Sequence, residues 1–263
     1  MVDEFRGAAL PLDKEGLTEV TERLGVGSAE LWAVLTVETR GCGFLPDRRP
    51  VILFERHVFS RETAHAYDAA HPDISNPRPG GYGSGGATQY QRLHQAVALD
   101  RRAALRSASW GIGQLMGFNA EVAGFGDVEA MVRAMVHSEN EQLQGMAGEI
   151  ERNGLIRPLR AHDWAAFARG YNGPAYQMNS YDSRLAAAYN KFRAGPMPDL
   201  VVRAAQAYLT YLGFDPGPVD GMLGRLTRSA VNDFQEQHGM PVTHVISDED
   251  VVALREAAER LPG

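Results

Sequence analysis

The sequence predicts a mainly α protein in two pieces: a larger helical domain over residues 1–195 with one small β-hairpin or sheet, and a small three-helix bundle over 196–263. Three observations predict this. Apolar residues recur at three- and four-residue steps along most of the chain, which is the period of a helix face. One stretch, VILFERHVF at 51–59, is instead rich in β-branched and aromatic residues. The run AGPMPD at 194–199, with two prolines and little bulk, has the composition of a linker.

In order, PLDKEGLTEVTERL (11–24) is a helix ended by Gly25 and Gly27, and Ser28 is placed to cap the next one, SAELWAVLTVET. LPDRRP is a turn. VILFERHVF is a strand or hairpin, or a strand running into a helix. The Pro/Gly-rich loop at 71–88 is long enough to be functional or a mobile connector. Thr88 then caps a helix through Arg106. SASWGIGQLMGFNAEVAGF is small and broken by glycines, and helices follow at 127–151 and 161–170. YNGPAY is a turn before a helix at 180–194. Beyond the linker the pattern is helix (200–212), the turn GFDPGPVDGMLG, helix (225–239), an extended MPVTHVI and helix (248–260).

Composition bounds the function. Of 263 residues, 44% are hydrophobic and 22% charged, with net charge −7. Residues 199–263 hold ten acids against five Lys/Arg, leaving −5 there and −2 in the rest. Neither part has the basic surface of a nucleic-acid binder. No run of about 18 apolar residues predicts a membrane span. The N-terminus, MVDEFRGAALPLDKEG, has early acids and no basic region before an apolar core, so no Sec signal peptide is expected. The one cysteine, Cys42, excludes an intramolecular disulfide. These features predict a chain made in a cytoplasm, without stable membrane association; a monomer is expected, though nothing in the sequence fixes the oligomeric state.

The candidate for chemistry is Glu38. Leu31, Val34, Leu35 and Glu38 share one helical stripe, so a single ionisable group lies on an apolar face. It falls in the last helical turn, where the dipole's negative end and desolvation both favour the protonated form. A carboxyl protonated near neutrality is what a general acid requires. The alternative is a structural glutamate paired with Arg40 or Arg56. Metal chemistry is not indicated: the eight histidines form no HExxH pattern, and His137 lacks a second helical partner. No cofactor is expected.

Glu38, the motif SASWGIGQ at 107–114 and YNG at 171–173 together resemble the lysozyme-like superfamily, which implies a lysozyme-like α+β catalytic domain. The finer resemblance is to the N-acetylmuramidases of phage endolysins. It rests on VETRGCGF, RPVILFERHVF, GGYGSGG, SWGIGQLMGFN and YNGPAY in this order, and it covers roughly residues 10–193. Thr39-Arg40 stands where a smaller pair is usual. The resemblance implies cleavage of the β-1,4 bond between N-acetylmuramic acid and N-acetylglucosamine, with Glu38 as the acid.

Glu55 is the candidate second carboxylate, set across the cleft by a turn and a strand. Its alternative is an ion pair with Arg56 or Arg49. Gln114 is expected to hydrogen-bond sugar or acetamido groups, with Ser109 as a weaker contact. Tyr171 and Asn172 are expected to touch the muramoyl ring or position Glu38. Trp110 is expected in the core. Tyr82 and Tyr90 flank the glycine loop and are candidates to stack on sugar.

The C-terminal part resembles a three-helix peptidoglycan-binding module, carried by Gln206, Asp220, Gly221, Thr227 and Phe234 among others. His244 departs from a commoner glycine. The partner implied is peptidoglycan, reached in the periplasm after a holin opens the membrane. A secreted bacterial effector is the alternative route. Three rival activities remain: a lytic transglycosylase giving 1,6-anhydro products, a cysteine amidase using Cys42 and His57, and a non-catalytic wall-binding protein.

Overall fold

The structure is a computed structural model that describes residues 4–39 and 41–261. α1 (Lys14–Leu24) starts at Asp13, whose carboxylate accepts from Gly16 N, and stops at Gly25, φ 60°. α2 (Ser28–Thr39) follows. Leu31 N donates to Gly27 O, so Ser28 lies inside the first turn instead of capping it. Leu31, Trp32, Ala33, Val34, Leu35 and Val37 are all buried. A helix apolar on every side belongs inside a protein. Each of its large side chains contributes roughly 2 kcal/mol by leaving water.

β1 (Ile52–Phe54) runs through Glu55 directly into α3 (Arg56–Glu62). Of the alternatives for VILFERHVF, the chain takes the strand entering a helix. Just before it, Phe44 and Pro50 make one antiparallel bridge, flanked by Leu45 N on Arg49 O and Val51 N on Gly43 O, too short to form strands. β1 pairs antiparallel with β2 (Ala108–Trp110), Leu53 opposite Ser109, and β2 pairs with β3 (Leu115–Met116). The glycine-broken segment therefore supplies two of three strands. Strands this short carry too little alternation to be seen in sequence.

Between β1 and β2 lie α4 (Thr88–Leu99) and α5 (Arg101–Arg106). The single helix expected here breaks at Asp100, φ −154°, whose carboxylate accepts from Ala103 N at 2.9 Å. Thr88 is inside α4, preceded by Ala87, and makes no cap. After β3 come α6 (Ala120–Ala123), α7 (Val128–His137) and α8 (Glu139–Arg152). The break between α7 and α8 has the same cause: Ser138 is extended, φ −153°, and caps Glu141 N. An N-capping residue suits a helix start better than its middle.

α9 (Ile156–Arg160), α10 (Trp164–Tyr171) and α11 (Tyr181–Ala194) complete this part, with α11 packed along α2. One core surrounds the sheet, with Phe54, Phe59, Tyr90 and Trp110. A second surrounds α2, with Leu35, Leu143, Met146 and Phe167. α12 (Leu200–Tyr211), α13 (Arg225–Gln237) and α14 (Asp248–Glu259) enclose a third, around Leu209, Val231, Phe234 and Leu254. Ala9 and Phe44 belong to that third core, so it extends into the first part of the chain. Among the described residues no helix is long and apolar enough to cross a membrane.

Candidate active site

The end of α2, the start of α3, the β2–β3 turn, α8 and the end of α10 meet around a cleft of about 530 Å³. Glu38 lies in it. Asn172 Nδ2 donates to Glu38 Oε1 at 2.8 Å, and Arg184 of α11 supplies the nearby positive charge. Burial nevertheless dominates and pushes the Glu38 carboxyl up to about 7. Of the ion-pair partners considered, Arg56 stands with Tyr82 under the glycine loop, and Arg40 lies outside the described residues. The carboxyl thus combines a proton near neutrality with access to the cleft.

Glu55 also lines the cleft, held between β1 and α3. His57 Nδ1 lies 3.0 Å from Glu55 Oε2, an ion-pair distance without hydrogen-bond alignment. Burial raises the Glu55 pKa, while His57, the Tyr82 hydroxyl and Arg92 pull it down. Arg49 is engaged with Asp47 at 2.6 Å instead. The glycine loop reaches the site through this network: Gln89, fully buried, donates from Nε2 to Tyr82 O and Ser84 O and accepts from Phe54 N.

A third carboxyl lines the same cleft, and the sequence argument missed it. Glu149 of α8 accepts from Asn119 Nδ2 at 2.6 Å. Burial first, and the Glu38 charge second, push it up to about 7 as well. One signal was available. Glu139, Gln142 and Glu149 fall on one face of a helix whose other buried positions include Leu143, Met146 and Ile150. A polar row inside an apolar helix marks groups with partners to find.

Gln114, φ 52°, sits at the tip of the β2–β3 turn. Its Nε2 donates to Gly111 O at 2.9 Å and Val51 O at 3.2 Å, and its Oε1 accepts from Ser109 Oγ at 2.9 Å. The amide therefore braces the turn, leaving one oxygen lone pair for a ligand. Ser109 is buried and spent on that brace. Tyr171 donates from its hydroxyl to Gly113 O at 2.6 Å, which ties α10 to the same turn. Asn172 keeps a buried Oδ1 with no partner.

Trp110 is fully buried in the first core, as expected. Tyr90 is buried too, its hydroxyl on Pro50 O at 2.8 Å, so it offers sugar no face. Tyr82 remains at the surface beside Glu55. Cys42 and His57 are not brought together as a nucleophile pair. The Cys42 thiol bonds Phe44 O beside Glu139 and Arg203, and burial pushes it up to about 11. His57 faces Glu55. His137 is an exposed helix residue paired with Glu141 at 2.8 Å.

The motif residues of the C-terminal part turn inward. Gln206 Oε1 accepts from Asp220 N and Gly221 N, while Nε2 donates to Asp220 Oδ1, Met222 O and Thr227 Oγ1. Thr227 donates to Pro216 O, and Phe234 is fully buried. Together they fix the DG turn and the small core.

A family model described as N-acetylmuramidase matches residues 27–193, and a peptidoglycan binding domain model matches residues 200–253. No curated protein matches the chain. Among solved structures, the crystal structure of the Burkholderia AP3 phage endolysin is 40% identical. It covers 72% of this chain and 71% of its own, with TM-score 0.62. SltB3 from Pseudomonas aeruginosa, in complex with NAG-anhNAM-pentapeptide, is 15% identical over 91% of this chain and 79% of its own. Its TM-score of 0.29 is too low to bear on the chemistry.

Proposed function

The chain belongs to the N-acetylmuramidase family, and from that premise we propose that Glu38 is the general acid of its reaction. The protein is a peptidoglycan hydrolase, a glycoside hydrolase acting on the wall glycan. The observation carrying the assignment is a cleft carboxyl pushed by burial up to about 7, so that much of it keeps its proton near neutral pH. In the proposed step, Glu38 protonates the bridging oxygen of a β-1,4 bond between N-acetylmuramic acid and N-acetylglucosamine as the C1–O bond breaks. Glu55 takes a proton from the water that attacks C1, with His57 and Arg92 favouring its ionised form. One water is consumed and two free sugar ends result. The partnerless Asn172 Oδ1 suits the N–H of an acetamido group.

Product mass tests the step. Fragments released from purified peptidoglycan should carry one added water per cut at the muramic end; 1,6-anhydro ends would identify a transglycosylase. Glu55→Gln should lower kcat about 100-fold or more with KM little changed, the loss typical of a missing base. A variant with wild-type kcat would move the second-carboxylate role to Glu149.

Glu149 shares the cleft's charge with Glu38, and such neighbours titrate as a pair. The rate should fall with rising pH as Glu38 gives up its proton. Glu149→Gln removes the neighbouring negative charge, so Glu38 would ionise more readily. The alkaline limb of kcat should move down by about half a pH unit or more. An unmoved limb would separate the two groups.

Residues 196–263 are proposed as a wall-binding module and 1–195 as the catalytic domain, in one monomer. Holding the enzyme on an insoluble polymer raises its local concentration at the substrate. The acidic surface of both parts argues against nucleic acid. The likeness to a phage endolysin favours release from the host cytoplasm through a holin-opened membrane over delivery as a bacterial effector. Co-sedimentation of the full chain with sacculi tests the module.

A further inference from the structure

The C-terminal part sends one side chain deep into the first. Arg203 of α12 is fully buried. Its Nη1 and Nη2 donate to Glu139 Oε2 and Oε1 at 2.5 and 2.7 Å. Its Nε donates to Gly41 O at 3.1 Å, and Nη2 shares that acceptor. Burial works against the guanidinium's charge, and the Glu139 carboxylate outweighs it, holding Arg203 firmly protonated. Glu139 is satisfied in turn: Oε1 also accepts from Gly43 N and Oε2 from Leu12 N, both at 2.7 Å. A buried ion pair tolerates desolvation only when its remaining donors and acceptors are met in this way.

What the pair grips is the chain just after Glu38. Gly41 N donates to Leu35 O and closes α2, Gly41 O is held by Arg203, and Gly43 N is held by Glu139. Thr39 Oγ1 donates to Ile112 O, tying the same turn to the one that carries Gln114. Tyr211 OH on Ala9 O at 3.2 Å and Arg48 on Ala258 O add further contacts between the two parts. A detachable anchor on a linker has no need of a buried arginine under the active-site helix.

We propose that Arg203 is a positioning residue for the reaction: through Gly41 and Glu139, the wall-binding module fixes the end of α2 and hence the place of Glu38. The module is then part of the catalytic frame as well as an anchor. This rests on Glu38 being the acid. The groups facing Glu38 are Arg184 and Tyr181 of α11, Tyr171 of α10 and Asn172 just after it, and Glu149 of α8. Arg203 is not among them, so any effect it has on catalysis is indirect, through Gly41, through Gly43 by way of Glu139, and through the Trp32 ring of α2, which its guanidinium covers at 5.7 Å.

The test uses the full chain and short, soluble glycan fragments that need no anchoring. Arg203→Lys keeps a point charge but loses the fork that spans Glu139 and Gly41. Its kcat should fall about tenfold or more with KM little changed. The alkaline limb should move to lower pH as the loosened turn admits water to Glu38, while co-sedimentation with sacculi persists. Arg203→Met paired with Glu139→Met replaces the ion pair by apolar bulk, a change often neutral for stability. It leaves Gly41 O, Gly43 N and Leu12 N without partners, at about 1–3 kcal/mol each, so its kinetics are read well below its melting range, where it should show the same loss. Wild-type kcat and pH profile in either folded variant would overturn the proposal. Glu38→Gln run beside them separates the cases: an active Glu38→Gln overturns the acid assignment itself, and an inactive one with unaffected Arg203 variants overturns only the coupling.

Discussion

Glu38→Gln will lose glycan hydrolysis by 10²–10⁴-fold, the range that follows removal of a general acid. The substitution is close to isosteric. A glutamine oxygen can still accept from Asn172 Nδ2, which bonds Glu38 at 2.8 Å in the native site. Lost activity would therefore report the missing proton and not a collapsed cleft. Co-sedimentation with sacculi should be unchanged. Residual hydrolysis above about 1% would remove Glu38 from the role, because the lower bound for losing the acid is about 100-fold.

The same variant should gain stability, with a sign fixed by the pKa. Burial pushes the Glu38 carboxyl up to about 7 in the folded chain, from an ordinary 4.5. The folded state therefore binds the proton more tightly than the unfolded state, and wild type loses stability as pH rises from about 4.5 to 7. The loss saturates at about 3 kcal/mol above that window. Glutamine does not titrate. Thermal melts should coincide near pH 4, and the variant should melt several degrees higher at pH 8. Equal melts at pH 8 would mean that the native carboxyl is not desolvated. Activity and stability are opposed here at one atom group, as expected where a site keeps a strained charge state for its chemistry.

How much of this was visible in sequence depended on the range of the interaction. Glu38 was legible because its setting is local: an apolar helix, a terminal position and a glycine stop within six residues. Glu55 and the YNG turn were legible through motif order. Gln114 lines the cleft, but its bonds to Ser109, Gly111 and Val51 show an amide mostly spent on its own turn, which no spacing rule reveals. Glu149 was hidden because its partners, Asn119 and Glu38, are 30 and more residues away. The helix breaks at Asp100 and Ser138 had a cue, a capping residue inside an apolar pattern, that periodicity outweighed. Arg203 read as one base in an acidic module. Its partner Glu139 is 64 residues distant, and only the docked fold joins them.

Gly43→Ala and Gly111→Ala will each unsettle the site through one buried amide. A Cβ on Gly43 would meet Gln142 Oε1 at 2.0 Å and Ile112 N at 2.9 Å. A Cβ on Gly111, where φ is +70°, would meet Gln142 Cδ, Oε1 and Cγ at 2.5–2.7 Å. Gln142 cannot yield cheaply. It is 1% exposed, its Oε1 accepts from Ile112 N and its Nε2 donates to Met135 O, both at 2.7 Å. Moving it leaves buried polar groups unpaired at about 1–3 kcal/mol each, and alanine at Gly111 adds backbone strain. Either variant should lose about 2–4 kcal/mol of stability. The displaced turn carries Gln114 and the Gly113 carbonyl that receives Tyr171, so kcat should drop tenfold or more even below the melting range. Gly85→Ala is the control. Its Cβ would meet nothing within 4 Å in the glycine loop, so stability and rate should both stay near wild type. If Gly43→Ala and Gly111→Ala behave like Gly85→Ala, the glycines of VETRGCGF and SWGIGQ are not there to let two turns close on Gln142. The cleft would then owe its shape to something other than that contact.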